Sequence, residues 1–244
     1  MLKRYFTALY RQTMDRAYAH ALEEIHQVAR GGGQILDCGA HNGTGFKRLQ
    51  ALGTIDPAQF HGIEWNDDLA QDGRRAGLDI VQGDLNRPLE QDDDAYDCVY
   101  ALSVLEHLLN GCRFLRECHR IIKPDGKLVI LTPNISTYFT AALVLMGKMP
   151  SSGPHPDSDA LMKSEEVFKV SSTALQWDTE ADTPVHRHLV VFSYRVLKKY
   201  LSMAGFRDVR GYGFGLYPFP RSTQRLLERM DPWHCHQMVF IARK

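Results

Sequence analysis

Residues 35–46 read ILDCGAHNGTGF, an apolar run that ends in an aspartate and is followed by three glycines within seven positions. Glycine is favoured where the backbone must take a positive φ angle or approach a ligand closely. A buried-strand pattern precedes the glycines, and a helical pattern, GFKRLQALG, follows them. We therefore interpret the stretch as the end of a strand, a tight turn and the start of a helix.

The alternation that begins there continues along the chain. Strand patterns lie at 34–40, 60–66, 79–85, 96–104, 123–134, 207–215 and 235–244. Helical patterns lie at 45–53, 67–77, 105–122 and 192–206. Strands separated by helices are typical of βαβ units and of a parallel sheet covered on both faces. We predict an α/β fold: a doubly wound, mostly parallel seven-stranded sheet with helices on both faces.

Two segments stand outside this alternation. Residues 1–30 have the spacing of one or two amphipathic helices and end at Gly31-Gly32-Gly33, so we predict a helical N-terminal cap. Residues 136–190 combine a helix-like run with a stretch rich in serine, proline and aspartate. Long connections in compact domains are usually either functional lids or disordered. We predict a single domain over 31–244, with 136–190 inserted as a lid that contacts the substrate.

The composition restricts the classes of protein. The 244 residues carry 29 basic and 29 acidic side chains, and this neutral balance disfavours a nucleic-acid partner. Five cysteines without a CxxC pair suggest reduced thiols, and we see no signal peptide, so we expect a cytoplasmic protein. The most apolar stretch, 139–149, is shorter than the ~20 residues that span a bilayer. The sequence predicts no membrane span and leaves the oligomeric state open.

The position of the glycine turn, after the first strand of such a sheet, favours a bound cofactor. A dinucleotide site requires G-x-G-x-x-G. Counted from Gly39, the second and third glycines of that pattern are His41 and Thr44; counted from Gly43, the third is Arg48. The dinucleotide pattern therefore fails in both registers.

The turn instead resembles motif I of class I S-adenosylmethionine-dependent methyltransferases, with residues 36–43 aligned to Leu-Asp-x-Gly-x-Gly-x-Gly and His41 in place of the middle glycine. Glu64, at the end of HGIEWN, and Gly83-Asp84-Leu85 stand where that family has acids after the second and third strands. Residues 97–108, DCVYALSVLEHL, and 115–134, LRECHRIIKPDGKLVILTPN, resemble type 11 methyltransferases. The resemblance covers 33–134 well and 190–244 more loosely.

This resemblance implies a Rossmann-like methyltransferase fold and S-adenosylmethionine as the cofactor. Glu64 would accept hydrogen bonds from the ribose hydroxyls, and Asp84 would take the adenine amino group. Trp65 follows Glu64 and either flanks the adenine ring, since aromatic faces suit such stacking, or anchors the surface. The complete set of residues expected at the cofactor is Asp37, Gly39, Ala40, His41, Gly43, Glu64, Trp65, Asp84, Leu85 and Ser103.

Histidines supply the candidate catalytic groups. His107 follows the fourth strand and is placed to take a proton from an acceptor, or else it forms a structural bond to its turn. His186 and His188 flank Arg187 near the end of the predicted lid, so they either contact the substrate or belong to a polar alternation. His234 and His236 share one face if 235–244 is a strand, but no acidic or thiol partner has ligand spacing, and we assign no metal.

The function predicted from the sequence is transfer of a methyl group from S-adenosylmethionine to a small-molecule acceptor. After the fourth strand, Ala101-Leu102-Ser103 replaces the [DNS]-P-P-[YFW] motif used for planar amino groups. The alternatives are a dehydrogenase, a binding protein on the same fold that has lost turnover because of His41, and an RNA methyltransferase, which the neutral charge disfavours. The sequence does not choose between an oxygen, nitrogen or carbon acceptor.

Overall fold

The structure, a computed structural model, describes residues 2–150, 152–154 and 187–244. The strands are β1 (Ile35–Cys38), β2 (Phe60–Glu64), β3 (Asp79–Gln82), β4 (Tyr96–Leu102), β5 (Ile122–Pro133), β6 (Arg207–Phe214) and β7 (Gln237–Arg243). The α-helices are α1 (Leu2–Arg30), α2 (Thr44–Gln50), α3 (Asp67–Arg75), α4 (Gly111–Ile121), α5 (Tyr138–Leu145), α6 (Tyr194–Met203) and α7 (Arg221–Met230). Short 3-10 turns cover Pro57–Gln59, Leu105–His107 and Pro232–His234.

One seven-stranded sheet has the order β3-β2-β1-β4-β5-β7-β6. The strands β1 to β5 pair in parallel, and β7 runs antiparallel to both β5 and β6. The chain moves outward from β1 to β3 and then returns to place β4 on the other side of β1. This reversal is the switch point of a doubly wound sheet, and the predicted fold class is confirmed.

The two faces of the sheet carry separate apolar cores, because successive side chains of a strand point to opposite faces. In β4, Val99 and Ala101 belong to the core beneath α4 and α6, whereas Cys98 and Tyr100 belong to the core beneath α1, α2 and α3. All four side chains are fully buried. A strand buried on both faces reads as a continuous apolar run, which is why β4 was readable from sequence.

The structure corrects the helix predicted over 105–122. A 3-10 turn, Leu105–His107, is followed by extended backbone at Leu108, and α4 begins only at Gly111. Gly111 lies close to Leu105, since a β-carbon there would stand 3.0 Å from Leu105 Cδ1. Glycine is unfavourable inside a helix and marks the break between the two elements.

Helix α7 was not predicted at all. Its buried residues are Gln224 and Glu228, so the face that packs inward is polar and shows no apolar periodicity. The packing of α7 depends on an ion pair instead: the Arg16 guanidinium of α1 donates to both Glu228 carboxylate oxygens, at 3.1 and 2.5 Å. Glu228 also accepts the backbone N–H of Gly215 at 2.7 Å.

The structure describes part of the predicted lid. Within 136–190 it contains α5 and the segment 187–190, while 155–186, including His186, lie outside the described residues. Among the helices of the described ranges, none combines the length and the apolar character needed to cross a membrane.

We expect Arg16→Met to lower the free energy of unfolding by about 2–3 kcal/mol, because it leaves the buried Glu228 carboxylate without its counter-ion. The matched control is Arg75→Met, which removes an exposed pair with Asp72 and should change stability by less than about 0.5 kcal/mol. Urea unfolding of both variants measures the difference. Equal stabilities would show that α7 does not depend on this pair.

Candidate functional site

The candidate site lies at the edge of the sheet where the parallel strands end. β1, β2, β3 and β4 finish there at Cys38, Glu64, Gln82 and Leu102, and the loops that follow them carry the predicted cofactor residues. In doubly wound sheets, ligands bind outside the carboxyl ends of the strands at the switch point. The topology therefore brings residues 37–43, 64–65, 84–85 and 103 to one edge.

The glycine turn is closed by backbone hydrogen bonds and by two close contacts. The N–H groups of Gly39 and Ala40 both donate to the Ile63 carbonyl, at 2.8 and 3.0 Å. Gly39 has φ +95°, and a β-carbon there would lie 2.5 Å from Val104 Cγ2. Gly43 has φ +83°, and its β-carbon would lie 2.2 Å from Leu78 Cδ1. These two positions require glycine for conformation and for space.

His41 fits the conformation of the turn in this structure. Its backbone has φ 51°, and its side chain is exposed, so the imidazole points away from the packed interior. Its N–H donates to Glu64 Oε2 at 2.8 Å, while Glu64 Oε1 accepts the Asn66 N–H at 2.9 Å. The Glu64 carboxylate thus joins the loop after β1 to the loop after β2.

Asp37 is a buried carboxyl at the end of β1. It pairs in register with Tyr100 of β4, whose buried hydroxyl lies beside the carboxylate without the geometry of a full hydrogen bond. A β-carbon on Gly45 would stand 2.1 Å from Asp37 Oδ2. Burial raises the pKa of Asp37 to about 7; Tyr100 and Arg48 act in the opposite direction, and Glu64 adds to the rise.

The remaining predicted cofactor residues have distinct environments. Trp65 is 52% exposed, whereas the Leu85 side chain lies in the core. Asp84 Oδ1 accepts the backbone N–H of Asn86 at 2.9 Å, and its Oδ2 lies 3.5 Å from Arg87 Nε. Ser103 takes φ 59°, uncommon outside glycine, and its hydroxyl accepts a hydrogen bond from Tyr18 of α1 at 3.2 Å.

Beyond Ser103, the 3-10 turn brings together Glu106, His107 and His188. Ligand atoms of these three side chains lie within 4.8 Å of one another. Burial lowers the pKa of His107 below its usual value, partly offset by the Arg187 carbonyl. Burial raises the pKa of Glu106 to about 7, against the effects of hydrogen bonds from its own N–H and from Thr132. The two predicted catalytic histidines are therefore neighbours.

The idea that His234 and His236 share one face of a strand is wrong. His234 lies in the 3-10 turn before β7, and its Nδ1 is 2.8 Å from both carboxylate oxygens of Asp231. His236 immediately precedes β7 and packs against the rings of Tyr10 and Tyr217. Neither belongs to a cluster of metal-ligating side chains in the part of the chain that the structure describes.

Sequence reasoning missed several side chains at this edge. Glu106 stands inside the quoted LEHL stretch, yet only its burial, with 2% of its surface exposed, distinguishes it from a solvated acid. Tyr18 reaches the edge from α1, and Arg48 of α2 lies over the Tyr18 ring at 4.7 Å. No local motif marks these contacts, since they join residues far apart in the chain.

Comparison with known proteins identifies the family of the chain. A family model described as a methyltransferase domain matches residues 10–210. The ubiquinone biosynthesis O-methyltransferase of Maricaulis maris is 31% identical over 126 residues, which are 48% of this chain and 49% of that protein. The chain thus spans about half of that relative's length. The enzyme of the same name from Yersinia enterocolitica is 23% identical over 192 residues, covering 77% of this chain and 72% of that protein.

The fold agrees with this match. The crystal structure of a SAM-dependent methyltransferase from Archaeoglobus fulgidus superposes with a TM-score of 0.56 at 17% identity, covering 95% of this chain and 94% of that one. The resemblance noted in the glycine turn and the expected cofactor are thereby confirmed at the level of the family. The chain belongs to the methyltransferase-domain family, with the class I fold of S-adenosylmethionine-dependent methyltransferases.

Proposed function

We propose that this protein transfers a methyl group from S-adenosylmethionine to a hydroxyl group of a small molecule. The observation that carries the proposal is the joining of the glycine turn to Glu64 at the switch point, where His41 N–H donates to Glu64 Oε2 at 2.8 Å. The family match supports the reaction, and the curated relatives, named as O-methyltransferases, support oxygen as the acceptor atom.

The residues at the switch point fit this cofactor. The buried Asp37 carboxyl and the buried Tyr100 hydroxyl, which has no hydrogen-bond partner among the described residues, stand together at the end of β1 and β4. A positively charged amino group stabilises a buried carboxylate. We assign Asp37 to the amino group of S-adenosylmethionine, held directly or through a water molecule.

The acids after β2 and β3 fit the nucleoside. Each Glu64 oxygen accepts one backbone N–H and retains a further lone pair, so the carboxylate can accept both ribose hydroxyls in charge-assisted hydrogen bonds. Asp84 is assigned to the adenine amino group and the half-exposed Trp65 ring to the adenine face. Leu85, whose side chain is in the core, would contribute through its backbone, as would Gly39, Ala40, His41 and Gly43 in the turn.

When bound, S-adenosylmethionine supplies a methyl group on a positively charged sulfur, which an acceptor atom displaces in line. The task of the chain is to align the acceptor and to assist loss of its proton. His107 Nδ1 lies 2.9 Å from the Arg187 carbonyl, which can only accept, so the proton is on Nδ1 and the lone pair is on Nε2. We assign loss of the acceptor proton to the cluster of His107, His188 and Glu106.

Three uncharged side chains, Tyr10 of α1 with His236 and Tyr217 packed together, support a neutral acceptor. Burial lowers the pKa of His236 to about 4, so its ring is neutral. Burial also raises the pKa of Tyr10 to about 12 and that of Tyr217 further still. Tyr217 donates to the Thr13 hydroxyl at 2.9 Å. Such groups pair with hydroxyls and carbonyls, and they supply no counter-charge of their own to an ionic acceptor.

The alternative of a binding protein without turnover was motivated by His41 and is weakened by its exposed side chain. A dehydrogenase is disfavoured by the failed dinucleotide pattern and by the family match. A cytoplasmic location, the absence of a nucleic-acid partner and the lid over 136–190 remain predictions from the sequence.

We expect His41→Gly to change the affinity for S-adenosylmethionine by less than about 0.5 kcal/mol, since the side chain is exposed. Gly43→Ala is the contrasting variant, because its backbone is left-handed and its β-carbon meets Leu78; its affinity should fall at least about tenfold. Calorimetric titration measures both. Markedly tighter binding by His41→Gly would mean that the imidazole obstructs the cofactor.

Stability should depend on pH through Asp37 in the cofactor-free protein. The pKa of Asp37 is about 7 in the folded state, against an ordinary value of 3.8 for an aspartate. The folded state therefore binds the proton more tightly than the unfolded state does. The resulting stabilisation is complete below about pH 4 and is lost as the pH rises to about 7, at up to about 1.4 kcal/mol per pH unit. Asp37→Asn should lose this slope, and the control Asp72→Asn should keep it. If the free energy of unfolding, measured with urea, depends on pH in the same way for wild type and for Asp37→Asn, the assignment is contradicted.

The proposed function is tested by titrating the protein with S-adenosylmethionine, S-adenosylhomocysteine and NAD. We expect micromolar binding of the two sulfur compounds, no binding of NAD, and at least about tenfold weaker binding by Asp84→Ala than by the control Asp92→Ala. Simple phenols and simple amines are then offered as methyl acceptors. Methylation of phenols supports a hydroxyl acceptor; methylation of amines alone overturns that part, and failure to bind either sulfur compound overturns the whole.

A further inference from the structure

The Glu106–His107–His188 cluster combines two imidazoles and a carboxylate beyond Ser103, at the edge of the sheet where the parallel strands end. Their potential ligand atoms lie within 4.8 Å of one another, and Glu106 is 2% exposed. Glu106 and His107 follow Ser103 by a few residues, and His188 is supplied by the segment 187–190. No role in binding the cofactor uses these three side chains.

Two members are oriented by a second group in the manner of metal ligands. His107 donates its Nδ1 proton to the Arg187 carbonyl at 2.9 Å, which leaves the lone pair on Nε2 as the one that the ring can offer to a metal. Glu106 Oε2 accepts the Thr132 hydroxyl at 2.9 Å. Metal-binding histidines almost always donate their other N–H to a carbonyl or carboxylate, and metal-binding carboxylates are themselves hydrogen-bonded.

The third member is fixed by the backbone. The N–H groups of Leu189 and Val190 donate to the Glu106 carbonyl at 2.7 and 3.3 Å. Together with the His107 bond to Arg187, these contacts attach the segment 187–190 to the 3-10 turn on both sides of His188. The imidazole of His188 is therefore held beside Glu106 and His107, with the two rings 5.3 Å apart between centroids.

We propose that Glu106, His107 and His188 bind a divalent transition-metal ion, and that this ion also binds the acceptor hydroxyl. The binding site follows from the three side chains alone. The acceptor's contact with the ion rests on the proposed function above.

The ligand set indicates the class of metal. Two imidazoles and one carboxylate suit zinc, iron, cobalt or nickel better than magnesium or calcium, which prefer oxygen ligands. Ligand atoms 2.0–2.2 Å from a tetrahedral ion lie about 3.4 Å apart, so the side chains must approach one another by up to about 1.4 Å when the ion binds. Three protein ligands leave at least one coordination position for water or substrate.

Charge favours an occupied site. A carboxylate with 2% exposure is costly to bury, and its hydrogen-bond partner among the described residues, the Thr132 hydroxyl, is neutral. A dication balances that charge and leaves one positive charge for an anionic oxygen. An acceptor hydroxyl on the ion loses its proton to water more readily. Its oxygen then forms the bond to the methyl carbon as the carbon–sulfur bond breaks, and the electron pair of that bond stays on sulfur.

The competing occupant is a proton on Glu106, which neutralises the same carboxyl without any metal. The test uses the full chain, treated with a chelator, saturated with S-adenosylhomocysteine and titrated with Zn²⁺ by calorimetry and with Co²⁺ by visible absorption. We expect one equivalent of either ion to bind and Co²⁺ to show absorption bands of a low-symmetry nitrogen and oxygen site. Thermal unfolding should shift upward with the ion present.

Variants locate the ion. Glu106→Gln and His188→Gln should abolish the one-equivalent binding, and Thr132→Val should weaken it about 10–100-fold, the usual cost of removing an outer partner. His61→Gln, in which the lost imidazole bonds Asp79 and Gln34 at the opposite end of the sheet, is the matched control and should bind as the wild type does. Binding of S-adenosylhomocysteine by each variant confirms that it is folded.

Two outcomes overturn the proposal: no stoichiometric binding of Zn²⁺ or Co²⁺ to protein that binds S-adenosylhomocysteine, or binding that Glu106→Gln and His188→Gln retain. The first outcome leaves the proposed function intact, with the proton as the occupant. Metal binding without any binding of S-adenosylhomocysteine has the opposite meaning, because the metal site stands while the proposed function fails.

Discussion

The Glu64 carboxylate is the constraint on which the arrangement of the switch point depends. Its two oxygens accept N–H groups from His41 and Asn66, so one side chain fixes the loops that follow β1 and β2. With 9% of its surface exposed, Glu64 has little water to replace these partners. The loop after β1 is left-handed at three nearby positions, Gly39, His41 and Gly43, and such a backbone persists only where its surroundings determine it.

Two further buried carboxyls, Asp37 and Glu106, lie at the same edge of the sheet, and burial disfavours the charged form of each. Burial raises the pKa of Asp37 and of Glu106 to about 7 each. Neither position contributes to an apolar core as well as a leucine would, so folding alone does not explain them. Groups with displaced pKa values cluster at functional sites. Asp37 lies where the proposed function puts the amino group of the cofactor, and Glu106 lies beside two histidines.

How much of the structure can be predicted from the sequence depends on how far apart along the chain the contacting residues lie. β1, β4 and the second half of β5 were readable because each is a buried run rich in apolar residues and is followed by a turn residue, Gly39, Ser103 or Asn134. Helix α7 was missed because Gln224 and Glu228 form its buried face, and the break at Gly111 was read as part of one helix. The buried state of Glu106 has no local signature.

The same distinction separates the cofactor side of the site from the acceptor side. The cofactor residues follow consecutive strands, and the short connections of βα units fix them with little help from the rest of the chain. The acceptor side that we propose consists of Tyr18 of α1, the segment 187–190 and the start of β7, which meet only when the sheet is complete. Substitutions there alter the acceptor's surroundings without moving Glu64 or the glycine turn. Under the proposed function, the acceptor can therefore change while the cofactor stays the same, and sequence motifs indicate the cofactor far better than the acceptor.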